Sequence, residues 1–312
     1  PVSISNIISR VTGTGASLID GALQSTIPGA DVYLINPSGV MIGDNASLNV
    51  SGSFYASTAD YLTLGSSGRF DASNPGNSVL VTAAPSAFGF LGNAPAPISV
   101  GDSLLQTPDG ATLELVGGDI TITDGNLYAP EGQVVLVSVT SAGEVPLDPA
   151  SINLGSFTSL GRITVANPSG VFPFLGLGEV GNLDVTTTVP GGTAGGGGRI
   201  VIRGGEFVLD EGLVRAEVIE DSNGGGIDIA VTGTTDLRGD AKLLTRSFFF
   251  NGDAGPITIN ADSLVISGDA TISSDSNGNG AGGTITINSS TLLASGRAAI
   301  SSDALRSGSG GS

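Results

Sequence analysis

Apolar and polar residues alternate along this chain in short runs, each closed by Gly, Asn, Asp or Ser. Ile120-Thr-Ile122, Arg199-Ile-Val-Ile202, Ile227-Asp-Ile229, Ile257-Thr-Ile259, Leu264-Val-Ile266, Ala270-Thr-Ile272 and Ile285-Thr-Ile287 are examples. A period of two puts the apolar side chains on one face of a β-strand, and the breakers end each strand after a few residues. Helical periodicity is nearly missing. Glu, Lys, Arg, Gln and Met are scarce, and Gly, Ser, Thr and Asn interrupt every long window.

The strands recur at a fixed distance in the last third. The Ile that opens each Ile-x-Ile run stands at 200, 227, 257 and 285, giving spacings of 27, 30 and 28. Gly255-Pro-Ile-Thr-Ile-Asn260 aligns with Gly283-Thr-Ile-Thr-Ile-Asn288, and Ala270-Thr-Ile-Ser-Ser-Asp275 aligns with Ala298-Ala-Ile-Ser-Ser-Asp303. A repeat of about 28 residues with several short strands and no helix is too short for a propeller blade and lacks the leucine-rich and helical-repeat signatures. It predicts an all-β fold, a right-handed parallel β-helix (solenoid) with extra-helical loops or hairpins. Each strand then pairs with its counterpart one repeat away, about 4.8 Å on, and the right hand is the crossover sense of parallel strands within a sheet. Residues 112–140 carry three or four strands separated by Gly-Gly, Asp-Gly and Pro-Glu-Gly turns. Residues 84–98 and 166–198, the second ending in Pro190-Gly-Gly-Thr-Ala-Gly-Gly-Gly-Gly198, are expected to be loop or hairpin excursions, because the same strand grammar resumes after each.

Composition narrows the chemistry. The 312 residues include no Cys, His or Trp, so there is no imidazole base or ligand, no thiol nucleophile and no disulfide. Eleven Lys and Arg stand against 29 Asp and Glu, a net charge of −18 that argues against nucleic acid and anionic lipid as partners. At 39% hydrophobic the chain can bury a core, so its 50 glycines are read as corners of a repeat rather than as disorder. No run of 18 apolar residues spans a membrane, and residues 1–30 lack the layout of a signal peptide. With Pro1 in place of Met, the expectation is a processed protein or an excised piece.

Five blocks make the N-terminal third specific: Ile4-Ser-Asn-Ile-Ile-Ser-Arg-Val-Thr-Gly13, Ser17-Leu-Ile-Asp-Gly21, Val32-Tyr-Leu-Ile-Asn-Pro-Ser-Gly-Val-Met-Ile-Gly43, Ala46-Ser-Leu-Asn-Val-Ser-Gly-Ser-Phe54 and Ala56-Ser-Thr-Ala-Asp60. In order and spacing they resemble the secretion domain of the filamentous haemagglutinin family, which heads the large exoproteins of two-partner secretion systems in Gram-negative bacteria. The likeness covers residues 1–105. Thr112 to Val139 resembles the segment that follows in cyanobacterial, surface-layer-like members, and residues 106–312 read as continuing repeats. Members usually carry fifty or more residues before the Ile-x-x-Arg-Val-Thr-Gly block, so the resemblance implies that this chain starts within the domain.

The resemblance implies export through a dedicated outer-membrane transporter as partner and location outside a Gram-negative cell, secreted or on the surface. It points to Arg10, Asn36, Pro37, Gly39, Ser57, Thr58 and Asp60 for transporter recognition or fold nucleation. Asn36-Pro-Ser-Gly39 has its own physics, since Asn, Pro and Gly in that order spell a type I turn, and the tetrapeptide recurs at Asn167-Pro-Ser-Gly170. The blander role for Arg10 is an ion pair with Asp20 or Asp60. The absence of Cys suits the route, because a periplasmic disulfide would block threading.

Rival readings are a polysaccharide-binding or polysaccharide-cleaving β-helix, a calcium-binding β-roll and an ice-binding face. Lys242 is the only Lys, and the acids Glu206, Asp210, Glu211, Glu217, Glu220 and Asp221 read as a solvated edge rather than a site. Asn223-Gly-Gly-Gly-Ile-Asp and Asn277-Gly-Asn-Gly-Ala-Gly-Gly fit the calcium nonapeptide poorly at a period near 28. The Thr-x-Thr strands are too scattered for an ice-binding array. No catalytic residue, metal or cofactor is assigned. Phe248, Phe249 and Phe250 make a candidate contact patch for a host-cell, matrix or polysaccharide ligand, because three adjacent aromatics cannot all enter a narrow core.

Overall fold

The computed structural model describes residues 3–175, 178–186, 197–219, 221–248, 251–306 and 308–311. Among them there are strands and two short 3-10 turns but no α-helix, and so no helix long and apolar enough to cross a membrane.

Nearly all strand pairing is parallel and runs between successive units of the chain, in three ladders. The first ladder stacks Asn6–Arg10, Asp31–Ile35, Phe54–Ser57, Thr112–Gly117, Gln133–Ser138, Arg199–Gly204, Gly226–Val231 and the opening halves of Ile257–Ile266 and Ile285–Ala294. The second runs from Ser17–Ile19 and Val40–Ile42 through Ile98–Val100, Ile120–Thr123, Arg162–Ala166, Glu206–Asp210 and Thr234–Arg238 to the closing halves of the same two long strands. Because Ile257–Ile266 continues from one ladder into the other, the two form a single sheet of 16 strands. The third joins Leu104–Gln106, Asn126–Tyr128, Leu183–Asp184, Leu213–Arg215, Lys242–Leu244, Thr271–Ser273 and Ala299–Ser301, with Ala22–Gln24 and Ser47–Asn49 as a separate pair. The pattern is consistent with a parallel β-helix. The spacings of 27, 30 and 28 read from Ile200 onward are the distances between paired strands.

Register explains the core. Ile7, Val32, Phe54, Leu113, Val134, Ile200, Ile227, Ile257 and Ile285 are Cα partners up the first ladder, so one inward column is apolar throughout. These residues, with the matching columns of the other two ladders, form one continuous cluster. β-Branched side chains fill the pleat and close-pack against the rung above, which is where the stability of such a stack resides.

The excursions are larger than their glycine and proline content suggests. The chain leaves the ladders after Ser57 and returns only at Ile98. Residues 84–98 are the last part of this detour, and Pro85–Phe90 is a strand rather than a loop. It pairs antiparallel with Tyr61–Leu64 on one side and Gly143–Pro146 on the other, while Gly68–Asp71 flanks Tyr61–Leu64. This four-stranded sheet lies over the outer face of the first ladder. Leu62, Leu64, Phe88, Phe90 and Val145 pack there with Tyr33, Val116, Val135, Val137 and Val201, making a second core. Within 166–198 the outcome is mixed. Phe174–Leu175 and Gly178–Glu179 pair antiparallel outside the ladders. Leu183–Asp184, however, rejoins the third ladder, because Leu183 fills the inward column between Leu127 and Val214. Residues 187–196 lie outside the described residues.

Candidate functional site

The tetrapeptide Asn36-Pro-Ser-Gly39 links a first-ladder strand to a second-ladder strand. Gly39 N–H donates to the Asn36 carbonyl at 3.0 Å, closing the turn, and Ser38 N–H donates to Asn36 Oδ1 at 2.9 Å. The Asn36 amide nitrogen then reaches back one unit, donating to the Gly15 carbonyl at 3.0 Å and Ser17 Oγ at 2.9 Å. Ser38 Oγ donates to the Gly13 carbonyl at 3.1 Å. Gly39, at φ +116°, is wedged between units: a Cβ there would stand 3.3 Å from Ala16 Cβ and 3.4 Å from the Pro97 carbonyl oxygen. Asn36 and Gly39 are buried and Pro37 is half-buried. The turn is therefore a clasp between three successive units.

The second copy, Asn167-Pro-Ser-Gly170, closes the same way, with Gly170 N–H donating to the Asn167 carbonyl at 2.9 Å. Its amide does not act as a clasp. Asn167 is buried, yet neither its Oδ1 nor its Nδ2 has a partner, and Ser169 N–H turns to Asp124 Oδ1 instead. The turn code is shared, but the clasp belongs to Asn36 alone of the two.

Arg10 pairs with neither Asp20 nor Asp60. Its guanidinium lies 4.3 Å from the centroid of the Phe70 ring and donates to the Asp71 carbonyl at 2.5 Å and Ser78 Oγ at 2.7 Å. Asp20 is instead held by Asn45, whose N–H and amide donate to its Oδ1 at 3.0 and 3.1 Å. Arg10 thus ties the first strand to the accessory sheet. Ser57, Thr58 and Asp60 sit where the chain departs for that sheet. Ser57 Oγ accepts from Ala59 N–H at 3.0 Å, and Thr58 Oγ1 donates to the Ala96 carbonyl at 2.7 Å, stapling the exit of the excursion to its return. Asp60 accepts from Leu91 N–H at 2.7 Å and from Ser73 Oγ. All seven residues mark junctions, four at the mouth of the excursion and three at the turn beside it.

Phe248 is half-buried with Arg246 5.4 Å from its ring centroid; Phe249 and Phe250 lie outside the described residues. The acids singled out in the sequence disperse. Glu206 pairs with Arg162, Asp210 with Arg238, and the buried Glu217 with both Arg215 and Arg246. Asp221 accepts from Asn251, and Glu220 lies outside the described residues. Asn223 Oδ1 accepts from Asp253 N–H at 3.0 Å, so this Gly-rich segment is a stacked corner. Among the described residues no cluster of acids could hold a metal ion.

Two features escaped the sequence reading. Glu114 is fully buried on the outer face of the first ladder, with Tyr55 and Val135 as neighbours in register, and neither carboxyl oxygen has a partner. Burial pushes its carboxyl well above the ordinary value. Tyr33 and Tyr55 stack beside it at 4.4 Å, and burial pushes both phenols up. The other feature is a groove of about 620 Å³ on the outer face of the third ladder, overhung by Phe172 and Phe174. Phe172 and Phe174 lie in the 166–198 excursion, but nothing local in the sequence says where that excursion lands.

The family model described as TPS secretion domain matches residues 1–154. No curated protein matches the chain, and no solved structure does.

Proposed function

Through residues 1–154 the chain belongs to the filamentous haemagglutinin-like two-partner secretion exoproteins, and from that premise we propose how it works. The chain is a right-handed parallel β-helix delivered to the outside of a Gram-negative cell by an outer-membrane transporter. Residues 1–105 guide export, and residues 106–312 extend the helix as a structural or adhesive stalk. The match to the secretion domain carries this reading. The ladders support it physically: each unit pairs with its immediate neighbours, so a chain emerging N-terminus first can add one unit at a time, and each addition buries surface that opposes return.

Arg10, Asn36, Pro37, Gly39, Ser57, Thr58 and Asp60 act in this scheme by nucleating the first units. The clasp geometry favours that role over direct contact with the transporter, since Asn36 and Gly39 are buried in the folded chain and their bonds are made between units. The test is export of the full-length parent carrying Asn36→Ala alongside its transporter. Reduced surface protein with wild-type periplasmic levels is expected; normal export removes Asn36 from the role.

A further inference from the structure

On the third ladder the groove crosses four consecutive strands, Leu213–Arg215, Lys242–Leu244, Thr271–Ser273 and Ala299–Ser301. Its side wall is the antiparallel pair Phe174–Leu175 and Gly178–Glu179, which brings Phe174 and Glu179 over the ladder. Arg215 holds that wall: its guanidinium donates to the Glu179 carbonyl while remaining paired with the buried Glu217 and with Asp184 at 3.7 Å. Phe174 is left 71% exposed. A large aromatic fixed in the open beside a polar cleft is an apolar surface awaiting a partner that has both faces and edges to offer.

We propose that this groove binds a linear, uncharged oligosaccharide, lying along the ladder with one sugar ring stacked on Phe174. Spacing is the first argument. The strands follow one another at about 4.8 Å, close to the length of one pyranose residue, so a linear glycan meets an equivalent row of side chains at each ring across three to four rings. Charge is the second. Glu179, Glu211, Asp240 and Asp275 line the groove against Arg215, Lys242 and Arg246, and all three cations are engaged, Lys242 with Asp240 at 2.8 Å and Arg246 with Glu217 at 2.5 Å. No unpaired cation is presented to a phosphate or uronate, on a chain of net charge −18. Paired carboxylates and guanidiniums keep spare lone pairs and N–H groups that suit vicinal hydroxyls. The third argument concerns backbone. A peptide added as a strand needs a free sheet edge, whereas the groove floor is the face of the ladder, in which Leu213–Arg215, Lys242–Leu244 and Thr271–Ser273 are paired on both sides and only Ala299–Ser301 ends the sheet.

The proposal deepens the adhesive reading of residues 106–312 by naming a ligand class, and its test needs no export, so the two can fail separately. The purified full chain is titrated calorimetrically with maltotetraose, cellotetraose, mannotetraose and N,N′,N″,N‴-tetraacetylchitotetraose, with tetragalacturonate as the anionic comparison. At least one neutral tetramer is expected to bind with Kd below about 1 mM, and Phe174→Ala is expected to weaken it about tenfold or more, while Leu80→Ala, an exposed residue on the accessory excursion, leaves it unchanged. Both variants alter exposed side chains, and matching melting curves verify folding. Absence of binding to all four neutral tetramers, tightest binding of tetragalacturonate, or wild-type affinity in Phe174→Ala overturns the assignment.

Discussion

Replacing Glu114 tests whether a carboxyl without partners sits in the second core. Its side chain faces Tyr33 and Tyr55 in its own ladder and the apolar underside of the accessory sheet, and no cation is within its hydrogen bonds. The cause of its raised pKa is desolvation alone. In the unfolded chain the group titrates near its ordinary value of 4.5. Below that pH it is protonated in both states and imposes no linkage penalty. As pH rises above 4.5 the unfolded form ionises while the folded form stays neutral, so the unfolded state binds fewer protons and stability falls. The slope is about 1.4 kcal/mol per pH unit, continuing until the folded carboxyl itself ionises. Asp184 is also raised by burial, with Arg215 opposing, and Asp228 is lowered by Arg203 and Arg199 against its desolvation. Both are present in wild type and variant and cancel in the difference.

Glu114→Gln removes the titration and keeps the shape. Urea unfolding of both proteins between pH 4 and pH 7 is expected to give near-equal stability at the acid end, with the variant gaining by about 1.4 kcal/mol per pH unit above it. Glu114→Met, which also removes the orphaned oxygens, is expected to add a further pH-independent gain of about 1–3 kcal/mol. Parallel stability curves for wild type and Glu114→Gln across the whole range would refute the reasoning, because they would mean that the carboxyl is solvated or paired.

Three further outcomes are expected. Asn36→Ala breaks two interunit bonds and should cost about 1–3 kcal/mol in urea unfolding, whereas Asn167→Leu, at an amide with no partners, should be neutral or stabilising; equal costs would sink the distinction between the two turns. Gly132→Ala places a Cβ 1.9 Å from the Ala111 carbonyl oxygen, backbone that cannot move aside, and should lower stability by about 3 kcal/mol or more; an unchanged melting temperature contradicts the close approach. A chain cut after residue 105 lacks Gly143–Pro146 and bares the edge of Pro85–Phe90 together with Phe88 and Leu62. It should aggregate where a chain cut after 160 melts cooperatively, as followed by light scattering and circular dichroism.

The last third was readable because its units obey one rule. In Ile257-Thr-Ile-Asn260 and Ile285-Thr-Ile-Asn288 the inward positions are Ile and the outward ones polar, so periodicity alone gave both strand and register. Around 133–138 the same ladder reads Gln-Val-Val-Leu-Val-Ser, apolar on both faces. That continuous run is the signature of a strand covered on two sides, and it could have disclosed the second core. What covers it could not be read, because the covering strands come from residues 61–90 and 143–146. Antiparallel pairing across some 55 residues leaves no local period. The candidate site divided in the same way. Turn chemistry located Asn36 and Asn167 equally, and only the distance back to Gly15 and Ser17 separates a clasp from an orphan.

The two long detours look costly for a chain that, on the proposed route, folds as it emerges, but the free energies say otherwise. Val134 and Ile200 are neighbours in register across 66 residues, against 28 for Ile257 and Ile285. By loop-closure entropy the difference is only about 0.8 kcal/mol, while burying one Phe such as Phe157, which lies within that span, contributes about 1.5–3 kcal/mol. The detours therefore stabilise the stack, provided their sheet closes. Its fourth strand, Gly143–Pro146, starts 83 residues beyond Asp60, the end of the five N-terminal blocks, yet lies inside the matched segment 1–154. A segment ending near 154 holds all four strands of that sheet, which gives the family boundary a physical meaning: it encloses the strands that roof the second core, after which units need only stack on what is already formed.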